Sequence, residues 1–190
     1  MPLLSRLSRA FVAVMVAATV VIAPAGPASA GIWQLTDSFE LATNPASRWS
    51  FTTSGTCTGP IFSNSISAPR TGSGLAAMEA HKGGDWCALG RTITLTPVSA
   101  HPGARCTAGV WTQLWNASTS FNLEVIDPDT WNYIALKSVV QDWSEGWILH
   151  TVSWTAQRTD VVLRFAVGKR HTHVFSAHVE LDDVVVQCAY

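Results

Sequence analysis

The chain has 190 residues, of which 47% are hydrophobic and only 13% charged, with a net charge of −1. That is enough chain for one sizeable core, and too balanced a charge to offer a basic surface to phosphate backbones, so a nucleic-acid partner is not expected. Its excesses are nine tryptophans and four cysteines; indoles are large and seek a hydrogen-bond partner, so that many in a small domain suggests that some face a ligand.

In chain order, Arg6 and Arg9, an apolar run from Ala10 to Ile22 and the small residues Ala28-Ser29-Ala30 have the sequence of a signal peptide, predicted to occupy residues 1–30. The apolar run is too short to span a bilayer, and no later stretch is long enough. Residues 31–190 are therefore expected as one secreted, extracellular domain, monomeric and without a membrane span. Without Arg6 and Arg9, the 12 basic residues become 10 against 13 acidic ones, a net charge of −3.

Short alternating stretches rich in Thr and Val, broken by Gly, Pro, Asn, Asp and Ser, predict strands over Trp49–Thr53, Gly74–Glu79, Cys87–Leu95, Cys106–Leu114, Phe121–Ile126, Trp131–Val139, Ile148–Trp154, Val161–Val167 and Val179–Gln187. Such spacing is that of an all-β antiparallel sandwich. Asp127-Pro128-Asp129-Thr130 reads as a hairpin loop, with Pro presetting the turn.

Alternation also separates faces. Phe121, Leu123 and Val125 point inward, leaving Asn122 and Glu124 outward; Val161, Leu163, Phe165 and Val167 oppose Arg164. Ile134 and Leu136 are expected inside, with Trp131, Tyr133 and Lys137 outside. Cys106, Ala108, Val110 and Leu114 read as core, opposite Trp111, Gln113 and Trp115. Trp111, Gln113, Asn122, Glu124, Trp131, Tyr133 and Arg164 are thus expected on one ligand-binding face. Flat rings stack on sugar C–H faces, and the polar members suit equatorial hydroxyls. Trp49, Trp86 and Trp154 are assigned to packing, and Trp143 and Trp147 flank a loop.

Four cysteines in an oxidising compartment predict two disulfides. Running the last strand antiparallel to Cys106–Leu114 with Cys188 opposite Cys106 pairs Val186 with Ala108 and Val184 with Val110. This favours Cys106–Cys188, leaving Cys57–Cys87. Catalytic candidates are thin. Glu180-Leu181-Asp182-Asp183 begins a sandwich-glycosidase pattern, but valines stand where the second Glu belongs. Asp127 and Asp129 read as turn formers, and His171-Thr172-His173 as a solvated loop beside Lys169-Arg170.

Several segments together carry a resemblance. They are Asp37-Ser38-Phe39-Glu40 followed by Trp49, then Ser73-Gly74-Leu75-Ala76-Ala77-Met78, Leu95-Thr96-Pro97, the Cys106–Trp115 strand, and Val179-Glu180-Leu181-Asp182-Asp183-Val184-Val185-Val186. In order and spacing they resemble the jelly-roll carbohydrate-binding modules of families 4, 9 and 22, which have a galactose-binding-like fold. The resemblance implies two antiparallel sheets, one of them concave, aromatic-lined and holding a polysaccharide or glycan without cleaving it. It also implies a structural Ca²⁺ ion tethering the opening segment to the closing strand through Glu40, Asp182 and Asp183. The cysteines are more than that family needs and resemble those of MAM adhesion domains, so an extracellular adhesion or structural sandwich is the alternative. An enzyme acting on glycosyl bonds ranks behind both.

Overall fold

The structure, a computed structural model, describes residues 31–95, 103–115, 119–141, 146–170 and 175–190. Their strands are β1 (Ile32–Asp37), β2 (Ser50–Ser54), β3 (Cys57–Ser63), β4 (Leu75–Ala80), β5 (Trp86–Thr94), β6 (Arg105–Trp115), β7 (Thr119–Ile126), β8 (Tyr133–Gln141), β9 (Ile148–Thr155), β10 (Asp160–Lys169) and β11 (Ala177–Ala189). The expected signal segment, Trp143 and His171-Thr172-His173 lie outside the described residues.

Two antiparallel sheets form a β-sandwich. One has the order β3-β4-β11-β6-β9, the other β2-β5-β10-β7-β8. β1 lies end to end with β4 along the same edge of β11, pairing Ile32–Asp37 with Ala189–Val184, while β4 takes Leu181–Ala177. Alternation drives this layering. Phe121, Leu123 and Val125 of β7, Leu163, Phe165 and Val167 of β10, and Val179, Leu181 and Val186 of β11 are all buried between the sheets. Trp49 and Trp154 join that core, as their assignment to packing anticipates.

Every strand expected from the pattern is present, with ends within two residues. β1 and β3 were not anticipated. β1 alternates Trp33 and Leu35 against exposed Gln34 and Thr36, a legible signal over a short stretch. β3 contains Gly59-Pro60, which reads as a break; an edge strand tolerates a proline because its outer N–H has no ladder partner.

Two bulges shift the expected parity. Between Val125 and Ile126 the β7–β8 register slips, so Leu136 stands opposite Glu124 and is 43% exposed instead of buried. Ala135 and Val139 pack against the core in its stead. Between Asp182 and Val185 the β11–β6 register slips, so Asp182, not Asp183, meets Trp111 and the expected Val184–Val110 pair is not made. Beyond that bulge Val186 meets Ala108 and Cys188 meets Cys106, as expected.

Both expected disulfides are formed. Cys57–Cys87 joins β3 of one sheet to β5 of the other, and Cys106–Cys188 links neighbouring strands β6 and β11. The second spans a sequence separation of 82, for which loop-closure entropy gives about 4 kcal/mol.

Candidate functional site

The outward positions of the five-stranded sheet carry an unusual surface. Along β5 they are Trp86, Ala88 and Gly90; along β10, Arg164, Ala166 and Gly168; along β7, Ser120, Asn122 and Glu124. The register sets these side by side, Arg164 between Gly90 and Glu124, and Gly168 between Trp86 and Ser120. The small residues form a low floor, and aromatic rings rise at its margins.

Two hollows lie on this floor and share Arg164. The first, about 350 Å³, is bounded by Trp86, Asn122, Glu124 and Tyr133. The second, about 330 Å³, is bounded by Thr52, Gly90, Pro128 and Trp131. Trp131 and Tyr133 are 61% and 52% exposed. Trp131 was expected inside a strand; it stands instead in the turn before β8, with a left-handed φ of 57°. A bulky side chain rarely accepts that conformation.

Glu124 organises the polar part. It is 1% exposed, which a carboxylate tolerates only when its oxygens are satisfied. Arg164 Nε donates to its Oε2 at 2.5 Å, and Asn122 Nδ2 and the Tyr133 hydroxyl donate to Oε1 at 3.3 and 3.5 Å. The Arg164 guanidinium also lies 5.5 Å from the Trp86 ring centroid and 6.0 Å from that of Trp131, within cation–π range of both. One buried ion pair thus stands between the hollows with an indole on each side.

Gly90 is informative for what does not require it. Its φ lies outside the left-handed region, and a Cβ there would meet Arg164 Cγ at 3.7 Å, an ordinary contact. Its lack of a side chain keeps the floor low beside Arg164.

Five of the seven residues expected on one face are thus brought together. Asn122, Glu124, Trp131, Tyr133 and Arg164 come together; Trp111 and Gln113 do not. Both lie on β6, in the opposite sheet. There the segment between β3 and β4 covers them: the Arg70 guanidinium sits 3.8 Å over the Trp111 ring, and Ser67 Oγ donates to Glu180, which faces Gln113 across the ladder. Burial alone would raise the Glu180 pKa, but hydrogen bonds from His178 and Ser67 hold it below the usual value. Trp86 is the residue that pattern reading misplaced. Cys87 points inward, so parity puts Trp86 outward, where it walls the first hollow.

Glu40, Asp182 and Asp183 all grip the segment that covers Trp111. Glu40 accepts the Ser73 amide at 2.9 Å and the Ser73 hydroxyl at 2.5 Å; Asp182 accepts the amides of Arg70 and Thr71 at 2.8 and 3.1 Å; Asp183 accepts the Thr71 hydroxyl at 2.6 Å and pairs with Arg70. Burial pushes the Asp182 carboxyl up to about 6, against the amide bonds that lower it. Among the described residues no three acidic, His or Cys side chains gather where they could hold an ion. As placed, these carboxylates accept hydrogen bonds from protein donors.

No protein-family model matches the sequence, nor does any curated protein. Solved structures do match. A family 61 carbohydrate-binding module in complex with β-1,4-galactotriose superimposes with a TM-score of 0.53 at 15% identity, over 79% of this chain and 97% of that one. A structure from work on the promiscuous specificity of carbohydrate-binding modules of the β-sandwich superfamily gives 0.51 at 11% identity, over 82% and 73%. The family 22 xylan-binding domain from Paenibacillus barcinonensis gives 0.50 at 11% identity, over 81% and 92%. The chain has the fold of the carbohydrate-binding modules. At these identities the likeness is one of fold, and what the site does must come from its own residues.

Proposed function

We propose that the protein binds a polysaccharide or glycan chain across the outer face of the five-stranded sheet and does not cleave it. The observation that carries this reading is the pair of exposed rings, Trp131 and Tyr133, beside a floor of Ala and Gly, with the Glu124–Arg164–Asn122 network within reach. Rings supply stacking surfaces for sugar C–H faces at little conformational cost, and the half-buried Asn122 and Arg164, oriented by Glu124, supply directional partners for hydroxyls. Among the described residues, Glu124 is the one carboxylate lining either hollow, and it is tied to Arg164. Hydrolysis of a glycosidic bond usually requires two carboxylates. The leader-like residues 1–30 and two disulfides support a secreted, extracellular protein.

Native affinity electrophoresis in gels containing soluble β-1,4-galactan, xylan or mixed-linkage glucan tests the proposal. The protein is retarded on at least one polymer, and Trp131→Ala weakens binding about ten-fold, the equivalent of about 1.4 kcal/mol of stacking. Release of reducing ends would instead establish an enzyme. Unaltered binding by Trp131→Ala would remove the proposed face.

A further inference from the structure

Trp131 sits in a backbone conformation that an indole-bearing residue does not choose freely, so its surroundings must hold it there. Part of the hold is internal to the β7–β8 hairpin. The Asp127 amide donates to the Asn132 carbonyl and the Trp131 amide to the Asp127 carbonyl, both at 2.9 Å. Asp127 Oδ1 accepts the amides of Asp129 and Thr130 at 2.8 and 3.3 Å. The other oxygen leaves the hairpin. Asp127 Oδ2 accepts from Nη1 of Arg158 at 2.5 Å, and Nη2 of the same guanidinium pairs with Asp129.

Arg158 belongs to the connection between β9 and β10, where the chain passes from the six-stranded sheet to the five-stranded one. Its side chain is two-thirds covered, and it lines neither hollow. A planar fork that takes two carboxylates at once fixes orientation in a way that a point charge does not. Here the two carboxylates belong to the turn that ends in Trp131. We propose that Arg158 is a positioning residue for glycan recognition: by latching Asp127 and Asp129 to the sheet-crossing connection, it sets the place of the Trp131 indole without itself touching the glycan. This rests on the glycan-binding reading above.

The test is a double-mutant cycle run by affinity electrophoresis in xylan, β-1,4-galactan and mixed-linkage glucan gels. Near-UV circular dichroism and acrylamide quenching of tryptophan fluorescence accompany it. Arg158→Ala is expected to bind about ten-fold more weakly and to quench more readily. Arg158→Lys, which keeps the charge and loses the fork, falls between it and the parent. In a Trp131→Ala background, Arg158→Ala costs nothing further. If Trp131→Ala loses binding while Arg158→Ala keeps it, the latch is overturned and the glycan-binding reading stands. A loss of equal size in both backgrounds also overturns the latch, since Arg158 would then act by another route. Absence of retardation of the parent protein on all three polymers overturns the reading and the latch with it. Should Arg158→Ala fail to fold, Arg158→Lys decides: parental binding by that variant overturns the latch.

Discussion

Asp37 illustrates how one side chain holds a seam. It is nearly buried where β1 ends, and accepts hydrogen bonds from Arg48 Nε, Arg91 Nη1, the Trp49 indole N–H and the Phe39 amide at 3.0–3.1 Å. Burial alone would raise its pKa, but the bonds from Arg48, Trp49 and Phe39 outweigh burial and hold the carboxyl below its ordinary 3.8. A group lowered on folding stabilises the native state above its unfolded value, and that contribution is lost as pH falls through the folded one. Asp37→Asn is therefore expected to lower the urea midpoint at pH 7, with the gap from the parent narrowing below about pH 4. A gap independent of pH would show that shape, not charge, matters at this position. In the sequence Asp37 only heads the Asp37-Ser38-Phe39-Glu40 segment; its ion pairs depend on Arg48 and Arg91 arriving from different elements, which no local pattern discloses.

At the level of strands, alternation proved a reliable guide to inside and outside, but not to which sheet a strand joins. Both sheets bury one face and expose the other, so Trp111 and Gln113 carry the same parity signal as Asn122 and Glu124 while lying on opposite sides of the molecule. The slip at Val125/Ile126 turned Leu136 outward, because a bulge adds one residue and inverts the period beyond it. The floor of the candidate site escaped notice for another reason: Ala88, Gly90, Ala166 and Gly168 have too little side chain to announce a role. Gly90→Val tests that floor. A Cβ there makes only ordinary contacts with the Arg164 side chain and the Leu163 carbonyl, and a β-branched residue suits a central strand, so stability is expected to hold or to rise by about 0.5 kcal/mol. Binding on xylan or galactan gels is expected to fall sharply, because the floor is raised. Parental binding by a folded Gly90→Val protein would place the ligand elsewhere.

For the molecule as a whole, cohesion between sheets comes from the shared apolar core and from one covalent tie, Cys57–Cys87, and the segment between β3 and β4 is held by hydrogen bonds to Glu40, Asp182 and Asp183. Since an ion that binds only the folded state raises its melting temperature, added calcium or EDTA is expected to move the midpoint by less than about 1 °C, measured by scanning calorimetry. A rise of several degrees with calcium would reveal a site completed by backbone oxygens. The Cys57–Cys87 bridge has a consequence for recognition as well as for cohesion. Cys87 directly follows Trp86, so the indole that walls the first hollow is anchored through its chain neighbour to the far sheet. That wall is stiffened against sideways displacement, and a reducing bath would leave it held only within its own sheet, by the ladders to β2 and β10 and by the Arg164 guanidinium.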